Sequence, residues 1–255
     1  MTGVATETIG IASSEAGPPA IRETEVAAKR HVMARLDNVS KVYETAAARV
    51  TALERMTWEI GRGEAVALMG PSGCGKTTVL NMLGGMDRPT DGAIWVDGAN
   101  IAAMSERQLE TYRLTKVGFV FQFFNLIPSL SAVENLELPM LMAGVDTVER
   151  RDRAEMLLET VGLKQKGFKR PEELSGGEQQ RVAVCLALVN DPAMILADEP
   201  TGNLDSKNAR IICDLLVGLA AKEGKTVLVA SHDPQVVESF PRVFHMRDGM
   251  IERAA

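Results

Sequence analysis

The stretch "GPSGCGKTT", which spans Gly70 to Thr78, constrains the fold more than any other part of the chain. It matches the pattern G-x-x-x-x-G-K-[ST], follows the apolar run "VALM" and precedes the helix-like run "TTVLNMLGG". Glycines at these positions let successive backbone N–H groups converge on phosphate oxygens, and a helix start adds the positive end of its dipole. The sequence therefore predicts a strand, a phosphate-binding loop and a helix, in that order.

The residues of this loop have separate predicted roles. Lys76 is expected to reach the β- and γ-phosphates of a nucleotide, and Thr77 to place its hydroxyl on Mg²⁺. The other loop residues of the predicted nucleotide-binding set are Gly70, Ser72, Gly73, Cys74, Gly75 and Thr78. An ordinary glycine-rich turn is the alternative interpretation, and the flanking strand and helix disfavour it.

Two adjacent acids follow a second apolar run, "MILADEP". A strand here would bring Asp198 to the carboxyl edge of the sheet, beside the phosphate loop, where it would hold the Mg²⁺ shell. Glu199 comes one residue later, where it could activate a water for in-line attack on the γ-phosphorus. Neighbouring acids at the end of a buried strand are costly unless a cation lies there, so the pair supports a magnesium site.

A second phosphate-binding corner is predicted by "LSGGEQQRVAVCLALV". Its helix would start at Ser175, with N–H groups of Gly176 and Gly177 at the positive end of the dipole. Because this corner has no lysine and no strand directly before it, it cannot bind a nucleotide alone. We expect it to cover the γ-phosphate held by a second copy of the chain in a two-fold dimer. A plain serine-capped helix is the alternative.

The pattern along the chain predicts three regions. Residues 1 to about 30 have the composition of a disordered arm. Residues 31 to 255 are predicted to form one domain that begins with four strands, antiparallel at least in part: "ARLDNVSKVY", "MTWEI", "EAVALMG" and "AIWVDG". Three further strands then alternate with helices: "VGFVFQ", "AMILAD" and "TVLVAS". Residues from about 123 to 180 start two helices with capping-box spacing, Ser131 with Glu134 and Asp146 with Glu149, and predict an inserted helical subdomain.

Composition limits the classes of partner. Lys plus Arg is 28 and Asp plus Glu is 34, and 28 − 34 = −6 argues against a broad nucleic-acid-binding surface. The three cysteines lie far apart, without metal-ligand spacing, and indicate free thiols in a reducing compartment. No apolar run reaches the ~18–20 residues of a membrane helix, and the acidic N-terminus argues against a secretory signal. We therefore expect any work at a membrane to go through a partner.

The order of "GPSGCGKTT", "LSGGEQQ" and "LADEP" resembles that of ATP-binding-cassette (ABC) ATPases, and the resemblance covers essentially Met33 to Arg253. It implies an α/β fold: a P-loop NTPase core with a mixed, mostly parallel sheet and flanking helices, an antiparallel β subdomain and an inserted α-helical subdomain. It also implies ATP hydrolysis with Mg²⁺.

Four further residues take roles from this resemblance. Tyr43 stands where the family has an aromatic residue that stacks on adenine. Gln122 lies at the joint between core and helical subdomain, where it would touch Mg²⁺ or the attacking water. Asp205 lies in the loop that crosses to the other subunit, and His232 would contact the γ-phosphate and help to hold Glu199.

The runs "VGFVFQFFNLIPSLSAVENLELPM" and "LADEPTGNLDS" resemble the subgroup of lipoprotein-release, macrolide-efflux and cell-division ATPases. One departure is Cys185-Leu186, where that subgroup usually has Ala-Arg. The resemblance implies an ATPase homodimer that drives export or mechanotransmission through a separate transmembrane permease, peripheral to the cytoplasmic face of the inner membrane.

An apolar run after Gln122 is expected to form the permease-binding surface, because Phe123, Phe124, Leu126, Ile127 and Leu130 are too many to turn inward in a short loop. Internal packing of these side chains is the alternative. Two other functions stay open: a cell-division-type regulator that gates a membrane partner without transport, and a soluble ABC ATPase acting on nucleic acid or ribosomes. The negative charge and the lack of a long coiled coil disfavour the latter.

Overall fold

The computed structural model describes residues 31–44 and 48–252, so the predicted arm, residues 1–30, lies outside the described residues. The strands are β1 (Val32–Glu44), β2 (Arg49–Gly61), β3 (Ala65–Met69), β4 (Asp91–Val96), β5 (Ala99–Asn100), β6 (Val117–Val120), β7 (Met194–Asp198), β8 (Thr226–Ser231), β9 (Arg242–Arg247) and β10 (Met250–Glu252). The helices are α1 (Lys76–Leu83), α2 (Glu106–Thr115), α3 (Ala132–Met142), α4 (Thr147–Thr160), α5 (Gly176–Leu188), α6 (Ser206–Glu223) and α7 (Pro234–Val237).

An antiparallel sheet has the strand order β2-β1-β4-β5. Its strands alternate buried and exposed residues, as in β2, where Met56, Trp58 and Ile60 are buried and the residues between them are exposed. This period of two places one apolar face against the core and the other in solvent. The pattern of the first predicted strands is therefore that of a sheet covered on one side.

A second sheet has the order β10-β9-β3-β8-β7-β6, and its strand pairs are parallel except for β10 with β9. The apolar runs of β3, β7 and β8 are buried on both faces. One face packs with α1 and the antiparallel sheet around residues such as Leu68 and Leu196, and the other packs with α6 and α7 around residues such as Val229 and Leu216. The predicted α/β core with a mixed, mostly parallel sheet is confirmed.

The expectation for "EAVALMG" is wrong in part. The short turn "GRG", which joins it to "MTWEI", predicts an antiparallel strand. In the structure β3 pairs in parallel with β8 and β9, so the turn connects two different sheets. Gly63 supplies the positive φ of 74° that this turn needs.

Residues 123–180, all of them described, form no strand. Helices α3, α4 and α5 bury a cluster of their own, which includes Leu136, Leu158 and Val182. Ser131 and Glu134 form the predicted capping box at α3. Asp146 caps α4 by accepting a hydrogen bond from Val148 N, and not from the predicted partner Glu149. The subdomain boundaries at about 123 and 180 stay a prediction.

Residues with positive φ lie at two bends in the last part of the described chain. Helix α6 ends at Gly224, whose φ of 66° is the left-handed cap that glycine favours. Strands β9 and β10 form a hairpin that turns on Asp248 and Gly249, both with positive φ. Gly249 also approaches β2, because a Cβ on this residue would lie 2.7 Å from Ala52 O.

The register of the parallel sheet brings the site residues to one edge. Met69 pairs with Ser231 and Asp198 pairs with Ala230, so the carboxyl ends of β3, β7 and β8 meet. The loop after β3, the acids after β7 and the histidine after β8 therefore share this edge, which is where open α/β sheets bind ligands.

Candidate active site

The phosphate loop needs its glycines for close packing as well as for backbone shape. A Cβ on Gly70 would lie 2.3 Å from Met246 O, and one on Gly75 would lie 2.6 Å from Ala52 O. Gly73 and Gly75 have φ of 82° and 107°. The loop is thus wedged between β2 and β9 in a conformation that residues with side chains rarely adopt, and Gly75 begins α1.

Lys76 is held in place by carbonyl groups of the phosphate loop itself. Its ammonium donates to Gly70 O at 2.8 Å and to Pro71 O at 3.1 Å, and the residue is only 6% exposed. Glu199 Oε1 lies 4.0 Å from the same nitrogen. A buried ammonium bonded to the loop's own carbonyls is preorganised for an anionic ligand. The other loop side chains differ in exposure, since Ser72 and Thr77 are exposed and Cys74 is buried.

The residues predicted to hold Mg²⁺ pass a test of fit. Asp198 Oδ1 is buried and has no hydrogen-bond partner. Burial raises the pKa of this carboxyl, and a hydrogen bond from Thr77 acts in the opposite direction. An orphaned carboxylate oxygen beside a hydroxyl fits the oxygen ligands that Mg²⁺ takes with few protein groups. Among the described residues, no group of three or more His, Cys, Asp or Glu could hold a metal ion.

Glu199 is fixed on several sides. Its backbone has a φ of 45°, unusual for a residue with a side chain, and its N–H donates to Ala230 O at 2.9 Å. Its Oε1 lies 2.8 Å from Nδ1 of His232, and its Oε2 accepts from Ser231 Oγ at 3.0 Å. Because an ionised carboxylate only accepts, Nδ1 of the histidine carries the proton in this contact. The sequence-predicted pair Glu199 and His232 is therefore in direct contact.

Tyr43 lies at the end of β1, near the start of α1. Its hydroxyl donates to Asp87 Oδ2 at 2.7 Å, and Thr78 also hydrogen bonds to it. The ammonium of Lys41 lies 4.8 Å from the ring centroid, so a cation faces the ring. Burial, followed by the Asp87 hydrogen bond, raises the pKa of the phenol. The ring is partly exposed and adjoins the helix that follows the phosphate loop.

Gln122 follows β6, and its side chain lies against Gly202, because a Cβ on that glycine would be 2.9 Å from the amide nitrogen. Its carbonyl accepts from Asn203 Nδ2 at 3.1 Å. The preceding carbonyl, Phe121 O, accepts from Gln180 in α5 at 3.3 Å. The segment 121–122 therefore touches both the loop after the two acids and the helix of the second corner.

The second corner starts α5 as predicted, with Ser175 as its N-cap. Glu178 Oε2 accepts from Ser175 N at 3.0 Å, and Glu178 Oε1 pairs with Lys166 at 2.5 Å. The Lys166 hydrogen bond, and then the Ser175 N–H, hold the pKa of Glu178 below its usual value. Ser175 is exposed, and Gly176 is half-buried.

Gly177 and Asp205 are joined through Asn208, a residue that the sequence did not single out. Asp205 caps α6 by accepting from Asn208 N at 2.9 Å, and Asn208 Nδ2 donates to Asp205 Oδ2 at 2.7 Å. A Cβ on Gly177 would lie 2.3 Å from Asn208 Oδ1, so only glycine leaves room for this side chain. The second corner and the loop of Asp205 thus pack as one surface.

The structure brings the predicted residues together in two groups. Lys76, Thr77, Asp198, Glu199 and His232 gather at the edge of the parallel sheet. Ser175, Gly176, Gly177 and Asp205 gather at the starts of α5 and α6. In residues 31–44 and 48–252, no hydrogen bond or ion pair joins the phosphate loop to the second corner.

Two residues that contact predicted site residues were missed from the sequence. Ser231 ends β8 fully buried and bonds to Glu199, and Asp87 bonds to Tyr43 and pairs with Lys41 at 2.5 Å. The serine directly before the predicted histidine, in "VASHD", was the available signal for Ser231. Nothing in the pattern around Asp87 indicated its contacts.

A glycine-rich loop with a buried lysine, a buried aspartate beside a threonine and a glutamate braced by a histidine define a P-loop ATPase site. The family model described as "ABC transporter" matches residues 53–202. The chain belongs to this family, and it is an ATPase.

Relatives match over most of their length. A chain from Thermotoga maritima described as an uncharacterized ABC transporter ATP-binding protein is 48% identical, over 85% of this chain and 92% of its own. The lipoprotein-releasing system ATP-binding protein LolD of Chromohalobacter salexigens is 39% identical, over 92% and 100%. The dimeric ATP-binding cassette MJ0796, from Methanocaldococcus jannaschii, was solved in a post-hydrolysis state with ADP and Pi. It is similar in structure, with a TM-score of 0.81 and 43% identity over 87% of this chain and 97% of that one.

No helix in the described part of the chain has the length and apolar character needed to cross a membrane.

Proposed function

We propose that two copies of this chain close on two ATP molecules, each held by the phosphate loop of one copy and the second corner of the other. The main support is the separation of the two groups within one chain: the second corner offers a serine and glycine N–H groups at a helix start, but no lysine. A helix N-terminus is an anion site, so this corner suits a terminal phosphate supplied by a neighbour. The dimeric MJ0796 cassette supports the same arrangement by likeness.

In the proposed site Lys76 and the loop N–H groups orient the β- and γ-phosphates, and Tyr43 stacks on adenine. Thr77 and Asp198 hold Mg²⁺, with Gln122 contacting the ion or the attacking water. The ion supplies charge neutralisation on the phosphate oxygens when bound. The orphaned Oδ1 of Asp198 supports this assignment.

Glu199 acts as the general base in this proposal. Its carboxylate accepts a proton from the water that attacks the γ-phosphorus, while His232 holds the carboxylate and approaches the γ-phosphate. The 2.8 Å contact between the two side chains supports the assignment. Asp205 then belongs to the surface that meets the second copy, because it is joined to the second corner through Asn208.

Replacing Glu199 by Gln tests the chemistry. The amide keeps the size of the side chain but has one acceptor oxygen instead of two, and it cannot accept a proton as a base. ATP binding is expected to stay intact while turnover falls by about 10²–10⁴. Steady-state ATPase assays and equilibrium nucleotide binding measure both, and unchanged turnover would remove Glu199 from this role.

We further propose that a membrane permease binds beside Gln122 and that the complex lies at the cytoplasmic face of the membrane. Phe123 is 72% exposed and Ile127 is 39% exposed, whereas Leu126 packs partly against the helical cluster. A neighbouring groove of about 370 Å³ is lined by apolar side chains that include Phe119, Leu138 and Leu186. Exposed apolar surface of this kind is typical of a partner site. The likeness to LolD supports an export or lipoprotein-release system.

Polar replacement of the exposed pair, Phe123→Ser with Ile127→Asn, tests the permease site. The ATPase activity of the isolated protein is expected to persist, and co-purification with the permease from native membranes to be lost. Phe168→Ser is the matched control, since Phe168 is 76% exposed but stacks with Arg151 elsewhere on the helical region. Retained co-purification in the double variant would contradict the proposed surface.

A further inference from the structure

Ser231 is a buried polar residue next to the reacting groups to which none of the assignments above gives a role. It ends β8, is 0% exposed and pairs with Met69 at the end of β3. Its hydroxyl donates to Glu199 Oε2 at 3.0 Å and accepts from the N–H of Asp233 at 3.1 Å. The side chain therefore links the general base to the start of α7.

The direction of these bonds is fixed by chemistry. A serine hydroxyl has one proton and two lone pairs, and the N–H of Asp233 can only donate to it. The carboxylate of Glu199 can only accept, so the hydroxyl proton points at Oε2. The hydroxyl therefore has a single arrangement that satisfies both neighbours.

The two groups that hold the Glu199 carboxylate differ in their surroundings. The side chain of His232, bonded to Oε1, is 60% exposed, whereas Ser231 is fully buried on a central strand. The backbone of Glu199 already has the unusual φ of 45°, which sets the direction in which its side chain leaves the chain. Buried strand residues hold a functional side chain more rigidly than exposed ones do.

We propose that Ser231 is a positioning residue that fixes the orientation of the Glu199 carboxylate for proton abstraction from the attacking water. The inference rests on the proposed role of Glu199 as base. Without the hydroxyl, Oε2 loses its donor and the carboxylate pivots on the exposed histidine. A misplacement of about 1 Å in a catalytic group is enough to slow an enzyme about a hundredfold.

The test is Ser231→Ala in the full chain. kcat is expected to fall about 10- to 100-fold, as expected for loss of a hydrogen bond to a charged group. The KM for ATP and the equilibrium affinity for a fluorescent ATP analogue are expected to stay within about twofold, because Ser231 is not placed against the nucleotide. Ser231→Thr keeps the hydroxyl and is expected to restore most of kcat.

Two controls separate positioning from general loosening of the fold. Asp233→Ala removes the cap that accepts from Gln235 N at 2.9 Å, and so loosens α7 while leaving the Ser231 hydroxyl in place. Its kcat is expected to stay near that of the wild type. In the Glu199→Gln background, Ser231→Ala is expected to change the residual rate by less than about twofold, since the base through which it acts is gone.

The outcomes are distinguishable. If Glu199→Gln slows turnover but Ser231→Ala does not, Ser231 has no positioning role and the base assignment stands. A Ser231→Ala effect of equal size in both backgrounds, or one matched by Asp233→Ala, would also overturn the proposal. If Glu199→Gln leaves turnover unchanged, the proposed base itself fails.

Discussion

Glu178 stabilises the start of α5 through two contacts: it accepts a hydrogen bond from Ser175 N and forms an ion pair with Lys166. Its pKa is lowered from the ordinary value of 4.5, chiefly by the Lys166 hydrogen bond. A lowered acid pKa means that the charged form is favoured in the folded state, so the stabilisation is present above the ordinary pKa. It is lost as the pH falls through the lowered pKa.

Glu178→Gln is therefore expected to destabilise the protein at neutral pH by about 0.5–1 kcal/mol, a value reduced for solvent screening of this partly exposed pair. The difference from the wild type should shrink as the pH falls below about 4.5. Thermal unfolding at a series of pH values measures it. Glu172→Gln, at an exposed glutamate in the same segment, is the control and should change the Tm at neutral pH little. A difference that is constant with pH would contradict the assignment.

At the scale of single residues, the sequence predicts which residues belong to the site better than it predicts their contacts. Lys76, Asp198 and Glu199 could be found because their motifs lie at the ends of apolar strands, whereas the role of His232 comes from the family resemblance. The hydrogen bond of Ser231 to Glu199 could not be predicted, although the serine lies directly before His232, because its partner is 32 positions away and only the register of β7 with β8 brings the two together.

Among the secondary-structure elements, β6 and α5 approach each other unusually closely. A Cβ on Gly118 in β6 would lie 2.1 Å from Ala187 O, which is backbone and cannot move aside as a side chain can. The contact explains why the strand that leads to Gln122 has a glycine in its interior.

Gly118→Ala is expected to cost about 1–3 kcal/mol of the free energy of unfolding through overpacking. This would lower the Tm by roughly 2–4 °C for each kcal/mol in a domain of this size. Gly218→Ala is the matched control, because Gly218 lies inside α6 with nothing within 4 Å of the added Cβ. It should raise stability by about 0.5–1 kcal/mol through helix propensity. Equal Tm values for the two variants would contradict the close-packing argument.

The elements also show where local pattern is insufficient. The apolar runs of β7 and β8 predict buried strands. In "ARIICDLLVGLAAKEG" an apolar stripe that includes Ile212 and Leu216 predicts a helix that closes at Gly224, which is where α6 ends. The turn "GRG" looks the same whether it closes a hairpin or crosses between sheets. The pairing of β3 with β8, which lies more than 150 positions later, decides between them.

In the whole molecule, the two groups of site residues lie on one chain without a direct hydrogen bond or ion pair among the described residues. The segment 121–123 bonds to Asn203, in the loop between Glu199 and Asp205, and to Gln180, in the helix of the second corner. It also carries the exposed Phe123. A movement of the helical region on ATP binding would therefore also move the proposed permease surface.

A mixing experiment tests the composite site most directly. Lys76→Ala removes the ammonium of the phosphate loop but leaves the second corner intact. Ser175→Asp keeps a good helix N-cap while placing a negative charge where the γ-phosphate would lie. Each variant alone is expected to be inactive, since every site in its homodimer is defective.

In an equal mixture about half of the dimers pair the two variants, and each of these has one intact composite site. The account predicts that ATPase activity returns, to about a quarter of the wild-type rate. Two results together would contradict this account. The mixture would be no more active than its separate components, and the Ser175→Asp protein would hydrolyse ATP at the wild-type rate.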